Sequence, residues 1–471
     1  MGKTPKSQSD KSKEVPKAPR GMRDIIGDDL YAYQGFFEKC AEIATYYGFK
    51  PIETPVIEET SLYLRGTGEG TDIVTKEMYN IKARGDSQFS LRPEYTPGVM
   101  RAYIEHGMQS WPQPVMLYYF GPLFRHDKPQ KGRLRELRQF GLEILGTPKS
   151  IADAMIIKMT ITMLEEAGLK DLVVHINSIG DKDCRNNYKK DLVNYYKKRV
   201  ADLCKDCKER LKTNPLRLLD CKEEKCQPIK ENAPQAISFL CPPCKAHFKE
   251  VLEYLETLKI EYMIDNNLVR GLDYYDRTVF EITTKKKIVV VEEKKPEVQS
   301  ETPETGVPAT PVVEVPAEEE EKVTEAPILA LAGGGRYDYL ARSIGGKKDV
   351  PSVGVAIGVD RVVMAEEATR LAPRVLKKPK VYFVQLGFEA KLQSMSIIEI
   401  LRKNKIPVVH ALGRDKLSTQ LAIAEKLQIP YVIILGQREV LDGTVIVRNM
   451  ETRSQDTIKF DKLPDYVKKI K

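Results

Sequence analysis

Two apolar runs, VMLYYFGPLFRH (115–126) and LRELRQFGLEILG (134–146), flank a short basic loop, DKPQKGR. This pairing constrains the fold more than any other feature of the chain. Each run has strand length, so the two read as neighbouring strands joined by a basic loop. A second hairpin-like stretch lies upstream in MYNIKARGDSQFSLRPEYT (78–96), where a Gly-Asp turn separates two short strands. Hairpins in succession, without a regular strand–helix–strand rhythm, predict an α+β fold, an antiparallel sheet flanked by helices.

The other segments build around that sheet. Helical periodicity over 28–47 puts Leu30, Phe37, Ile43 and Ala44 on one face. GFKPIETPVIE (48–58) is a strand broken by prolines, which suits an edge or an interface. Residues 152–167 read as a core helix and LVVHINSIG (172–180) as a strand. From 182 to 258 the chain turns helical, Lys-rich and Cys-rich, the mark of an inserted domain. Sheet character returns at 259–370, so 20–181 and 259–370 form one catalytic-size body around the insertion. After Pro379 the order strand–helix–strand–helix–strand predicts a compact α/β domain over 379–471 with a largely parallel sheet. No 20–50-residue repeat is visible.

Charge is uneven. The chain of 471 residues carries +8, yet segment 285–327 holds six lysines and eleven glutamates, a local −5, so the remainder carries +13. A basic body fits a polyanion such as RNA, although modest basicity also merely aids solubility. Residues 285–327 are rich in Pro, Glu, Val and Thr and read as a disordered or extended insertion. The charged tail 1–19 is likewise expected to be disordered. It lacks the apolar core of a secretory signal, and no apolar run reaches the ~20 residues of a membrane helix. The expected compartment is the cytoplasm.

Several clusters carry chemistry. The stretch from Arg125 to Arg138 bears seven basic side chains, His126 included. Guanidinium forks match phosphate oxygens, and Arg125 ends an apolar strand that would fix its position. The alternative is a solvated hairpin tip. In LRPEYT, Glu94 and Thr96 lie two apart and would share a strand face, where a carboxylate and a hydroxyl take a ligand ammonium. Gln139 and Glu143, four apart in a strand, would face one pocket. In LVRGLDYYDRTVFEI (268–282) Arg270, Tyr274 and Tyr275 sit at a Gly turn before a β-branched strand. Arg270 reads equally as a clamp for a small anion or as a solvated strand-end arginine. AGGGRYDYL (332–340) and SVGVAIGVDRVV (352–363) are glycine-rich, but neither is a phosphate-binding Walker loop nor a dinucleotide fingerprint.

The insertion holds six cysteines. Cys204/Cys207 and Cys241/Cys244 are two CxxC pairs, and Cys221 and Cys226 stand further apart. Paired CxxC in a reducing compartment favours zinc over disulfides. The two CxxC pairs would supply four thiolates, with His247 able to replace one. Ordinary thiols are the competing reading, and Cys40 and Cys184 read as ordinary buried thiols.

Taken together and in this order, FGPLFRHDKPQKGRLRELRQFGLEILG, LVRGLDYY, AGGGRYDYL and SVGVAIGVDRVV resemble the histidyl-tRNA synthetases, a class II aminoacyl-tRNA synthetase family. The resemblance runs from about Arg20 to Lys471 apart from 285–327. It implies an ATP-dependent ligase that forms histidyl-adenylate and passes the histidyl group to histidine tRNA, with Mg²⁺ accompanying ATP. Under it Arg270 is the family's histidine-specific arginine. Glu94 and Thr96 hold the α-amino group, Gln139 and Glu143 take the substrate backbone and imidazole, and Tyr274, Tyr275 and Tyr337 complete the histidine pocket. Arg125, Arg133, Leu137 and Arg361 serve ATP, while Lys128, Gln130 and Arg133 approach the acceptor end of tRNA. Pro51–Ile57 resembles the dimer-forming motif 1, implying a homodimer, and 379–471 the anticodon-binding domain. Three features depart from the family pattern: RHDKPQKGR stands for RHERPQKGR, Leu137 and Arg138 replace an aromatic–His pair, and the acidic insertion is atypical. The competing function is a catalytically inactive paralogue that senses histidine or uncharged tRNA.

Overall fold

The structure is a computed structural model that describes residues 15–82, 85, 87–127, 134–285, 330–365, 367–375, 379–410 and 416–470. The chain divides into two compact units, 1–373 and 374–471.

The first unit begins with helix α1 (Asp28–Tyr46), strands β1 (Lys50–Pro51) and β2 (Ile57–Glu59), and helix α2 (Thr60–Thr67). Strands β3 (Asn80–Lys82) and β4 (Gln88–Leu91) form the upstream hairpin, and with β2 they make a three-stranded sheet in the order β2-β4-β3. Helix α3 (Thr96–Glu105) leads to the long pair β5 (Val115–Phe124) and β6 (Glu136–Leu145). These two pair antiparallel over their full length, from Val115↔Leu145 to Phe124↔Glu136. Helix α4 (Ser150–Glu166) and strand β7 (Leu172–Ser178) follow, then the insertion with helices α5 (Lys182–Lys197), α6 (Lys205–Thr213), α7 (Gln227–Glu231) and α8 (Pro242–Thr257). The chain returns through β8 (Tyr262–Ile264), β9 (Asp276–Thr284), β10 (Ala332–Arg336), helix α9 (Leu340–Ser343), β11 (Ser352–Gly358) and helix α10 (Val359–Val363).

Eight strands make the main sheet, ordered β1-β5-β6-β11-β10-β9-β7-β8. Its six central strands are antiparallel, in agreement with the hairpin pattern. The two edge pairs, β1·β5 and β7·β8, are parallel. Each joins strands separated by a long connection, with the small sheet and helices between β1 and β5 and the helical insertion between β7 and β8, which can bring the chain back in the same direction.

The pleat sorts side chains between the two faces. Tyr118, Phe140, Leu142, Ile144, Phe280, Ile282, Val353 and Val355 point to one face and pack with Phe36 and Cys40 of α1 and Ile156 and Met159 of α4. Leu117, Tyr119, Leu123, Leu145 and Val279 point to the other, with Val99 and Met100 of α3. Register puts Gln139, Glu143, Glu281, Gly333 and Gly354 on this second face. A buried ion pair ties α4 to β10: Arg336 reaches Asp153, and it donates to the Asp338 carboxylate at 3.2 Å and to the Thr147 carbonyl at 2.9 Å. Burial alone would raise the Asp153 pKa, but the Arg336 guanidinium holds it near 2.

Two expectations are corrected. Leu30 is 40% exposed, and α1 instead buries Ala32, Tyr33, Phe36, Cys40 and Ala44. Glu94 and Thr96 are not on a strand: β4 ends at Leu91, and Thr96 opens α3 with Pro97 behind it. Proline fits the first turn of a helix because its missing N–H costs nothing there.

The second unit contains β12 (Val381–Gln385), α11 (Phe388–Lys403), β13 (Val408–His410), α12 (Leu417–Lys426), β14 (Tyr431–Leu435), α13 (Gln437–Asp442), β15 (Thr444–Asn449), β16 (Gln455–Lys459) and α14 (Leu463–Lys469). Its sheet runs β13-β12-β14-β15-β16, parallel for the first three strands and antiparallel beyond. Val381, Phe383, Ile433, Leu435 and Leu401 form the core on one side of it.

Candidate active site

A cleft of about 1330 Å³ opens over the second face of the main sheet. Arg125, Leu137, Gln139, Arg270, Gly333 and Arg361 all line it. Their positions follow from the strands. Arg125 stands one residue past β5 and donates from Nε to the Pro93 carbonyl at 2.9 Å. Leu137 and Gln139 belong to β6. Arg361 rises from α10 and donates to the Ala330 carbonyl at 2.6 Å.

Beside the cleft lies a buried polar layer made of two carboxylates, each wrapped in hydroxyls. Glu94 accepts from Thr67 and, at 2.7 Å, from Tyr274. Glu143 accepts from Thr96 at 2.8 Å, Tyr119 at 3.3 Å and Tyr337. Tyr274 packs on Tyr275 with ring centroids 4.6 Å apart and meets Tyr337 edge-on at 5.8 Å. Burial raises the Glu94 pKa, even though the Thr67 and Tyr274 hydroxyls and the charges of Arg125 and Arg270 oppose it. Burial pushes Glu143 up to about 8 against the hydrogen bonds from Tyr337, Thr96 and Tyr119. Both carboxyls therefore have much to gain from a cationic or N–H-bearing ligand.

Glycines make room for these groups. A Cβ on Gly333 would overlap the Arg270 guanidinium, and a Cβ on Gly354 would overlap Glu143 Oε2. Arg270 lies across the sheet at Gly333, pairs with Glu281, and keeps its buried Nε without a partner among the described residues. A buried donor left unpaired is costly unless a ligand oxygen reaches it. The site can thus seat a small molecule with a cationic end at the carboxylates and an anionic group between Arg125, Arg270 and Arg361.

The structure brings together Glu94, Thr96, Glu143, Tyr274 and Tyr337 by direct contact, and Arg125, Leu137, Gln139, Arg270 and Arg361 around one cleft. Lys128, Gln130 and Arg133 lie outside the described residues, as do 1–14 of the expected tail and 286–327 of the acidic insertion. Sequence reasoning missed Thr67, Tyr119 and Glu281. Glu281 had a signal, since it alternates with the apolar Phe280 and Ile282 in a strand and so shares the pocket face with Val279; Thr67 had none. It also missed the floor of the cleft, where Asp360 accepts from the Tyr33 hydroxyl at 2.7 Å and the Arg138 amide at 2.6 Å. The insertion contributes too: Arg217 pairs with Asp72 at 2.9 Å inside the cleft.

The cysteines group differently from the expected CxxC–CxxC set. Cys204 and Cys207 stand with Cys221 and Cys226, all four buried and their sulfurs within 4.8 Å of one another. Cys241 and Cys244 belong elsewhere, with Asp181 and Cys184. The reason is local. A short 3₁₀ turn, Glu224–Cys226, folds the widely spaced pair back on itself, while α8 starts against the root of α5. His247 is not a ligand in either group; it faces Asp153 at 3.3 Å. The first cysteine group could hold a metal ion.

Comparison with known proteins settles the family. The family profile of histidyl-tRNA synthetase matches residues 21–290, and that of the anticodon binding domain matches 380–470. The chain is 37% identical to the histidine–tRNA ligase of Desulforamulus reducens over 451 residues, covering 96% of this chain and 98% of that one. The chain belongs to the histidyl-tRNA synthetase family. A Dehalococcoides mccartyi histidine–tRNA ligase is 38% identical over 453 residues. The solved apo histidyl-tRNA synthetase of S. aureus superposes with a TM-score of 0.73 at 31% identity, covering 97% of this chain and 100% of that one. The histidyl-tRNA synthetase fold thus accounts for both the main sheet and the separate C-terminal unit. Among the described residues no helix is long and apolar enough to cross a membrane.

Proposed function

We propose that this chain ligates L-histidine to histidine tRNA through a histidyl-adenylate. The observation that carries the reading is the pair of buried, hydroxyl-wrapped carboxylates, Glu94 and Glu143, beside a cleft lined by Arg125, Arg270 and Arg361. Glu94 and Thr96 take the α-ammonium group of histidine. Glu143, held by Tyr337 and Tyr119, accepts from an imidazole N–H, while Gln139 and the Tyr274/Tyr275 pair close the pocket. The carboxylate of the bound histidine attacks the α-phosphorus of ATP in line, and pyrophosphate leaves. Catalysis is then chiefly positioning and charge neutralisation. Arg125 and Arg270 stabilise the charge on the α-phosphate, and Arg361 with Leu137 and Arg133 holds the rest of ATP. Mg²⁺ bound to ATP would offset phosphate charge, and Glu281 and Asp127, which line the cleft, are oxygen donors that would hold it. In the second step the terminal ribose hydroxyl of tRNA attacks the adenylate carbonyl and AMP leaves. Lys128, Gln130 and Arg133 meet the acceptor end, and the unit 374–471 reads the anticodon as exposed bases.

The working form is a cytoplasmic homodimer. Support comes from β2, an edge strand of the small sheet that leaves Val56 and Ile57 exposed beside the Pro51–Ile57 segment. An isologous contact would cover them. Cys204, Cys207, Cys221 and Cys226 hold one structural zinc. The 3.9 Å between the sulfurs of Cys204 and Cys221 matches the ~3.8 Å edge of a tetrahedron with Zn–S bonds of about 2.3 Å. The test is aminoacylation with labelled histidine and histidine tRNA. Charging is expected from the full chain, and removal of 374–471 should raise the tRNA KM severely while adenylate formation falls far less. Equal loss of both steps would mean that the unit does not read tRNA. A monomeric mass in solution would refute the dimer.

A further inference from the structure

Two strands of chain enter and leave the insertion side by side, and four ligand-bearing side chains meet there. Asp181 is the N-cap of α5, and Cys184 is that helix's third residue. Cys241 precedes α8 as its N-cap, and Cys244 is the third residue of that helix. Cys204 and Cys207 stand in the same two positions on α6. A cap residue and the third helical residue bring their side chains to one point at the start of the helix. The same local device therefore occurs three times, once in the four-cysteine group and twice in this second one.

The second group is laid out for an ion. Asp181 uses Oδ1 to cap α5, accepting from the amides of Asp183 at 3.1 Å and Cys184 at 2.9 Å. That leaves Oδ2 free of the cap, and it faces the sulfurs of Cys241 and Cys244 at 3.3 Å each. A tetrahedral zinc with Zn–O of about 2.0 Å and Zn–S of about 2.3 Å has an O···S edge of about 3.5 Å. The Cys184 sulfur accepts the Cys241 amide at 3.1 Å, the acceptor role that a thiolate fills well. All four ligand atoms lie within 4.8 Å of one another, and none of the cysteines is in a disulfide.

We propose that Asp181, Cys184, Cys241 and Cys244 form a second zinc centre, with three thiolates and one carboxylate, that closes the insertion at its root. Three soft ligands and one oxygen in a closed tetrahedral set select zinc over magnesium or calcium. The position gives the centre a task. Gly180 accepts from the Arg277 amide at 2.7 Å, so the root is fixed to the start of β9. Arg185, next to Cys184, donates to the carbonyls of Asp273 at 2.8 Å and Tyr275 at 2.7 Å. Zinc at Cys184 holds Arg185, and Arg185 holds the loop that carries Arg270, Tyr274 and Tyr275. This last link rests on the histidine-binding reading of that loop.

The test counts metal in the full-length protein, purified under reducing conditions without chelator. Two zinc ions per chain are expected by elemental mass spectrometry. The pair Cys241→Ser/Cys244→Ser should retain one, as should Cys204→Ser/Cys207→Ser. If the wild type holds one zinc that survives Cys241→Ser/Cys244→Ser, the second centre does not exist; if that one zinc survives only Cys204→Ser/Cys207→Ser, the second centre stands and the four-cysteine site fails. Should the variants not fold, alkylation of the wild type decides: Cys184, Cys241 and Cys244 should be protected and should become reactive after strong chelation. Equal reactivity with and without chelator, or a Cys241–Cys244 disulfide in reducing buffer, overturns the proposal. With zinc lost from this centre, the histidine KM should rise several-fold while the ATP KM stays within twofold. A histidine KM that does not move detaches the centre from the loop even where the metal count supports it.

Discussion

Replacing Gly354 by alanine tests the pocket at one atom. Gly354 sits opposite Glu143 across the β6–β11 ladder, and its added Cβ would overlap Glu143 Oε2 while also approaching the Leu142 carbonyl at 3.0 Å. The carboxyl must withdraw, because the strand backbone beside it cannot. It then loses the hydroxyls of Thr96, Tyr119 and Tyr337. With Glu143 largely protonated near neutrality, each such hydrogen bond is worth about 1 kcal/mol, so about 3 kcal/mol of positioning is at stake. That corresponds to roughly 10²-fold in rate, and a misplacement of about 1 Å near reacting groups costs a similar factor. Histidine-dependent ATP–pyrophosphate exchange should therefore lose roughly 10²-fold in kcat/KM for histidine, with the ATP KM changed far less. A thermal melt should show the fold intact, since this residue's φ lies outside the left-handed region and alanine suits the strand. A Gly354→Ala enzyme with near-normal histidine KM would refute the placement of Glu143 at the substrate.

Arg270→His should preserve the fold and lower the exchange rate roughly 10²–10³-fold, the loss of one fixed donor at developing charge; near-normal exchange would show Arg270 misassigned. Arg336→Met should cost about 3–5 kcal/mol by leaving Asp153 buried and unpaired, read as a lower denaturation midpoint, whereas an unchanged midpoint would mean the pair is replaceable. Glu143 predicts a pH effect. Its pKa is raised from 4.5 to about 8 on folding, so the ligand-free protein is favoured below pH 4.5 and loses that contribution as pH climbs to about 8. Melting curves of Glu143→Gln should therefore fall less steeply between pH 5 and pH 8 than those of the wild type, and parallel curves would count against the burial argument.

The sheet was legible because apolar runs of strand length bounded by turns leave few alternatives. The β5–β6 pair, the upstream hairpin and the strand–helix alternation after Pro379 all follow from local pattern. The parallel edges were not legible, since β7·β8 pairing depends on where an 80-residue-scale insertion returns the chain. Arg125, Arg270, Gln139, Glu143 and Tyr337 could be singled out because each lies in a stiff, motif-bearing strand or turn. Glu94 and Thr96 do come together with Glu143 and Tyr274, but on a different backbone from the one expected: Pro97 signalled the start of a helix, and the strand reading passed over it. The cysteine grouping was beyond the sequence altogether. Spacing shows which cysteines can form a knuckle, while the meeting of two knuckles is decided by how helices pack. Thr67 illustrates the same limit, being brought to Glu94 only by the packing of α2.

The most direct test of the central claim is ATP–pyrophosphate exchange measured with each of the twenty amino acids. Both pocket carboxyls are buried and shaped for hydrogen-bonding partners, so an amino acid that leaves them unpaired is rejected strongly. Histidine should support exchange, and every other amino acid should fall roughly 10⁴-fold lower. No exchange with histidine, or comparable exchange with a second amino acid, would contradict the account.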